Sequence, residues 1–198
     1  MSRLMAILSL IAIAAGCGAS QTHAPAMLVL HADLAPLAPD LGELGDLGYA
    51  ASGAVGFEAS GCCGAAAYLG YWKLDPASVD ADGADQILHG GIELEGVMPG
   101  AQQFRLRLRA GKAGTPPSTS ELGREGFAGS AAIVYRVTDP VPPRSTEAAL
   151  AFDLFVGYAV WGLGPERTSA GENDEDKDNG GAFMLGFSLG ANYGLDLK

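Results

Sequence analysis

Cysteine is nearly absent. Three residues in 198 cannot staple a domain of this size, which excludes a disulfide framework. Charge is scarce as well, at 18% of the chain, below the usual quarter or so. Basic residues are scarcest, with 12 Lys and Arg against 23 Asp and Glu, and the lysines are only Lys73, Lys112, Lys177 and Lys198. The net charge of −11 and a pI near 4.5 exclude a nucleic-acid binder, which needs a basic patch to neutralise phosphates. Wholesale disorder is excluded in turn, because 48% of the residues are apolar. Beyond the extreme N-terminus no run approaches the eighteen apolar residues of a membrane helix. No long segment carries a 3.6-residue stripe, and 29 glycines discourage helices altogether. No His-Glu-x-x-His pattern or phosphate loop is present, and nothing around Cys62-Cys63 has zinc-ligand spacing. Neither an enzyme nor a bound cofactor is expected.

The first residues carry a targeting pattern. Met1-Ser2-Arg3 gives a short positive start, Leu4 to Ala15 is an apolar run, and Ala14-Ala15-Gly16 precedes Cys17. A run this short does not span a bilayer, and its small-residue end is that of a secretory signal peptide. A Cys directly after such a site resembles the bacterial lipobox, in which that Cys is acylated and becomes the mature N-terminus, with Ala14 standing where the usual Leu is found. The alternative is plain signal cleavage after Gly16 or Ala19. The chain is therefore divided into a signal peptide (1–16), a short tether (17–24) and one domain (25–198), with Cys17 the expected lipidation site.

In the remainder, alternation with a period of two dominates, the mark of strands with two different faces. Near the C-terminus Phe183, Leu185, Phe187, Leu189, Ala191, Tyr193, Leu195 and Leu197 alternate with Met184, Gly186, Ser188, Gly190, Asn192, Gly194, Asp196 and Lys198. Over 148–160 Leu150, Phe152, Leu154, Val156, Tyr158 and Val160 oppose Ala149, Ala151, Asp153, Gly157 and Ala159, with Phe155 an exception. Phe104, Leu106 and Leu108 alternate with Arg105, Arg107 and Arg109, and similar patterns cover 28–34, 47–59, 88–98 and 127–137. Segment 62–75 is ambiguous, with Leu69 and Tyr71 on one face but Tyr68 and Trp72 on the other. Eight strands result, and the connections between them run long, short, long, short along the chain. That rhythm predicts an all-β, antiparallel, up-and-down barrel with one end of tight turns and one of projecting loops.

The pattern resembles the small eight-stranded transmembrane β-barrels of the Gram-negative outer membrane, the OmpA-type domain and its OmpX-like relatives. The resemblance covers nearly all of the chain after the signal and is architectural. It differs at the C-terminus, which reads Leu195-Asp196-Leu197-Lys198 where such barrels usually end in an aromatic. It implies membrane lipid and lipopolysaccharide as surroundings, a monomer, and an extracellular partner met by the long loops. The competing reading is a lipocalin-like barrel tethered in the periplasm, with the apolar face inside around a small hydrophobic ligand. The other face is mainly Gly, Ala and Ser, unlike a solvated sheet surface, which favours lipid outside.

If the apolar face is outside, the charges line an interior too narrow for a pore. Pairing across Pro99-Gly100 in the simplest register puts Glu95 opposite Arg105 and Glu93 opposite Arg107. Arg109 is then left for Asp153 or Glu147, so Glu93, Glu95, Arg105, Arg107, Arg109 and Asp153 form the expected salt-bridge network. His31 and Asp33 are expected to meet Asn192 and Asp196 where the barrel closes. Tyr49, Tyr71, Trp72, Tyr135, Tyr158, Trp161 and Tyr193 are candidates for interfacial girdles. Cys62-Cys63 allows a vicinal disulfide. The acidic stretches Asp80 to Asp85 and Asp174 to Gly180 space oxygens as calcium loops do but complete no EF-hand, so no metal is expected.

Overall fold

The computed structural model describes residues 26–38, 47–59, 62–74, 85–116, 123–138, 147–164 and 178–195. The segments expected to be signal peptide (1–16) and tether (17–24), with Cys17, lie outside the described residues, as do Asp80, Asp82, Asp174 to Lys177 and Asp196. The alternating segments form strands β1 (Ala26–Ala38), β2 (Gly48–Ala59), β3 (Cys63–Lys73), β4 (Gln86–Met98), β5 (Ala101–Gly114), β6 (Glu125–Arg136), β7 (Ala148–Leu163) and β8 (Asp178–Gly194). Each pairs antiparallel with its neighbour in sequence, and β1 pairs with β8, so the eight strands close into an up-and-down barrel, with no helix among the described residues.

The register fixes the shape. Stepping from partner to partner, Met27 leads to Glu58, Gly64, Glu95, Arg107, Ala132, Gly157 and Met184. Met184 pairs with Leu37, so one circuit returns to β1 ten residues from its start. A stagger of that size inclines the strands by roughly 35–45° to the barrel axis, the range of closed barrels.

One register differs from the sequence expectation. Glu95 pairs with Arg107 and Glu93 with Arg109, while Arg105 lies opposite Val97. The hairpin is responsible. Gly100 has φ 77°, which suits the second central position of a Pro-Gly type II turn. Such turns splay antiparallel strands, and the pairing here is restored only after an irregularity between Val97 and Met98. That irregularity shifts every arginine two positions along β4.

Tilted strands alternate cleanly between two faces. The outward face carries the bulky apolar residues, including Leu150, Leu69, Leu185 and Ile92, exposed by 83%, 69%, 67% and 64%. The inward face is divided along the barrel axis. Toward the long connections it is an apolar cluster containing Leu37, Trp72, Leu74, Ile87, Trp161, Leu163 and Met184. Toward the short turns it holds most of the buried charges, with Arg124 the exception at the long β5–β6 connection. The ambiguous strand β3 turns Leu69 outward and Tyr68 and Trp72 inward. Trp161 is inward too, so both tryptophans belong to the core and not to a girdle. Their size fills the wide upper interior that alanine and glycine leave open.

Close approach of strands explains two glycines. Gly91 and Gly111 face each other across β4 and β5, and a Cβ on either would fall 2.2 or 2.1 Å from a carbonyl oxygen of the partner strand. Gly111→Val is therefore expected to force the strands apart and to lose roughly 1–3 kcal/mol. A lowered midpoint of urea unfolding would register it, and an unchanged midpoint would contradict the close packing.

Candidate functional site: a charged barrel interior

Each charge arises from the inward position of an alternating strand. β1 supplies His31 and Asp33, β2 supplies Ser52 and Glu58, β4 supplies Glu93 and Glu95, and β5 supplies the three arginines. β3, lying between β2 and β4, turns the small residues Gly64 and Ala66 toward the interior beside Glu58, Glu95 and Glu93. That leaves room for the long side chains to meet across the lumen.

The contacts form one continuous network. Arg105 Nη1 donates to Glu58 Oε2 at 2.8 Å and to Glu95 Oε1 at 2.9 Å. Arg107 donates from Nε to Glu95 Oε2 at 2.8 Å and from Nη1 to Asp33 Oδ1 at 3.2 Å. Arg109 donates to Glu93 Oε2 at 2.7 Å, to Ser52 Oγ at 2.8 Å and to Asp33 Oδ2 at 2.5 Å, with Tyr68 beneath its guanidinium. His31 Nε2 lies 3.3 Å from Glu93 Oε2. Despite the shifted register, the contacts expected between Glu95 and Arg105 and between Glu93 and Arg107 both exist, as diagonals of 2.9 and 3.8 Å. Diagonal neighbours in a sheet remain within reach of long side chains.

Asp153 is not part of this network, contrary to the expectation that it meets Arg109. It accepts both Nε and Nη2 of Arg136, at 2.9 and 3.2 Å, in a bidentate pair between β6 and β7. His31 and Asp33 turn to Glu93 and the arginines; β8 places Asn192 beside Val29 and Ser188 beside Asp33. Glu58, Ser52 and Arg136 had been legible only as inward positions. Their partners depend on the barrel's diameter and stagger, which no single strand reveals.

Above the network His89 is buried against Trp72 and Tyr68, at ring-centroid distances of 4.1 and 5.5 Å, and Trp72 packs on Trp161 at 5.8 Å. No Gly-x-Ser-x-Gly elbow is expected from the sequence, yet the run Gly186-Phe187-Ser188-Leu189-Gly190 has that spacing. Ser188 lies in the middle of β8, inward and 1% exposed, with no strand-to-helix turn to present it. The sulfurs of Cys62 and Cys63 are 3.1 Å apart, well beyond bonding distance, so these neighbours form no vicinal disulfide with each other. Among the described residues no three His, Cys, Asp or Glu side chains are placed to share a metal ion.

Ten of the eleven outward aromatics among the described residues fall near the two ends of the wall, and Phe187 lies between them at mid-β8. Tyr49, Tyr71, Phe127, Tyr158 and Phe183 lie toward the long connections, with Tyr49 packed on Tyr71 and Tyr158 on Phe183. Phe57, Phe104, Tyr135, Phe152 and Tyr193 lie toward the short turns, with Phe104 on Tyr135. Among the described residues no charged side chain points outward between these rings. Lys73, Lys112 and Glu125 sit at the long-connection rim. There the hydrogen bond from Lys73 holds the Asp85 carboxyl below its ordinary range.

Fold and interior together define a closed eight-stranded β-barrel with an apolar wall and an ionic core. No known protein family matches the chain. No curated protein is similar to it at a significant level.

Proposed function

We propose that this protein is a small outer-membrane barrel, acylated at Cys17, whose lumen is plugged and whose task is structural or surface-interactive. The observation that carries this reading is the inverted polarity of the wall. Bulky apolar side chains cover the outside, aromatic residues gather near its two ends, and between those ends the ionised residues are inside. A monomeric soluble protein rarely exposes an apolar patch beyond a few hundred Å². Lipid turns the same surface from a liability into the main source of stability, and aromatic rings mark its two interfaces.

The interior supports the plugged lumen and offers a carried ligand little space. Two cavities beside the network measure about 30 and 20 Å³, each water-sized, against several hundred for a drug-sized ligand. The rigid wall leaves recognition of lipopolysaccharide or of an extracellular partner to the long acidic connections.

A Cys17→Ser variant exported by a generic signal peptide tests the reading. We expect it to stay in the membrane fraction and to migrate faster unboiled than boiled on a denaturing gel. Release into the soluble periplasmic fraction would overturn the proposal and return attention to a lipid-tethered, lipocalin-like carrier.

A further inference from the structure

The wider of the two cavities, about 30 Å³, lies beside the seam where β1 closes the barrel. It is lined by Glu58 from β2 and Asn192 from β8, with Val29 of β1 between them, and by the Arg136–Asp153 pair opposite. Glu58 and Asn192 are 4% and 6% exposed. Yet Glu58 Oε1 and Asn192 Oδ1 have no hydrogen-bond partner among the described residues. Leaving two buried acceptors unmet carries the full desolvation penalty of each, so a donor is required.

The surroundings specify which donor. An anion is excluded because both unmet atoms are acceptors. A cation finds no unneutralised charge there, because the lining carboxylates Glu58, Glu93, Glu95 and Asp153 are already paired with arginines. A divalent ion also lacks a set of three ligands among the described residues. What remains is a neutral molecule that fits the space and donates two hydrogen bonds, which describes a single water. We propose that this cavity is the site of one ordered water that donates to Glu58 Oε1 and to Asn192 Oδ1, bridging β2 to β8 across β1. The water completes the carboxylate that Arg105 holds by its other oxygen. It also fastens the closing seam from inside, beside Val29 and His31 of β1.

A crystal structure at a resolution that orders solvent tests the site directly, with a second crystal exchanged into rubidium chloride. The expected result is a density peak within about 3.2 Å of both named oxygens. It carries no anomalous signal after rubidium exchange, and Asn192→Leu abolishes it. A rubidium peak at that position would replace the water by a monovalent cation site. Absence of any peak in the unmodified protein, with the Glu58 carboxylate turned to other donors, would refute the proposal whether or not the variant folds.

Discussion

Arg136→Met is expected to destabilise the barrel by about 3–5 kcal/mol, whereas Arg136→Met combined with Asp153→Leu is expected to be nearly neutral. The pair is bidentate, buried on both sides, and separate from the larger network, which makes it the cleanest test of the ionic core. Removing the guanidinium alone leaves a buried carboxylate without a counter-charge, beside a cavity with room for little more than one water, and that desolvation is the large term. Removing both charges exchanges an ion pair for apolar volume beside Ala151 and Phe155, a swap that buried pairs elsewhere tolerate. Urea titration of the refolded barrel, followed by the unboiled gel shift, measures each variant. A single variant that costs under about 1 kcal/mol would mean the interior is more hydrated than its burial implies. A double variant as damaging as the single one would mean that the pair supplies more than mutual neutralisation.

The second large effect concerns the opposite face. Ile92 is 64% exposed and lies on β4 between the two aromatic rings. Ile92→Arg is expected to cost about 2–4 kcal/mol when the barrel is folded in lipid vesicles. Lys112→Leu, at the long-connection rim, should change stability by no more than about 1 kcal/mol in the same assay. The contrast is diagnostic because water would reverse it. On a solvated wall an added arginine is harmless or improves solubility, since charges there blunt association. Equal responses of the two positions in vesicles would remove the case for a lipid-facing wall.

Much of this architecture was legible because alternation is a physical consequence of the pleat. Leu185 to Tyr193 and Phe104 to Leu108 could only be strands with two unlike faces, and the long-short rhythm of connections ordered them into a meander. Parity alone also held information that composition obscured. Trp161 shares its parity with Asp153, Ala159 and the rest of the small inward face, and Trp72 shares its parity with Gly70. Their burial was readable despite the general preference of tryptophan for interfaces. The register of β4 on β5 was not readable, because it turns on an irregularity beside Pro99-Gly100 that leaves no mark in the periodicity. Cross-lumen partners were equally hidden. Asp33 meets Arg107 and Arg109 at separations of 74 and 76 residues, contacts that arise only once eight strands and their stagger set the diameter.

The pairing of β1 with β8 has a kinetic consequence. Seven of the eight seams join consecutive strands and can form locally, but the last joins Met27 to Gly194, the two ends of the described chain. Until β8 has been synthesised and docked, β1 and β7 both present open edges, and the entropy of closing so long a loop must be met in one step. Such a chain has high contact order and folds late and all at once. A truncation that removes β8 should therefore abolish the folded state altogether, and no smaller seven-stranded barrel should take its place.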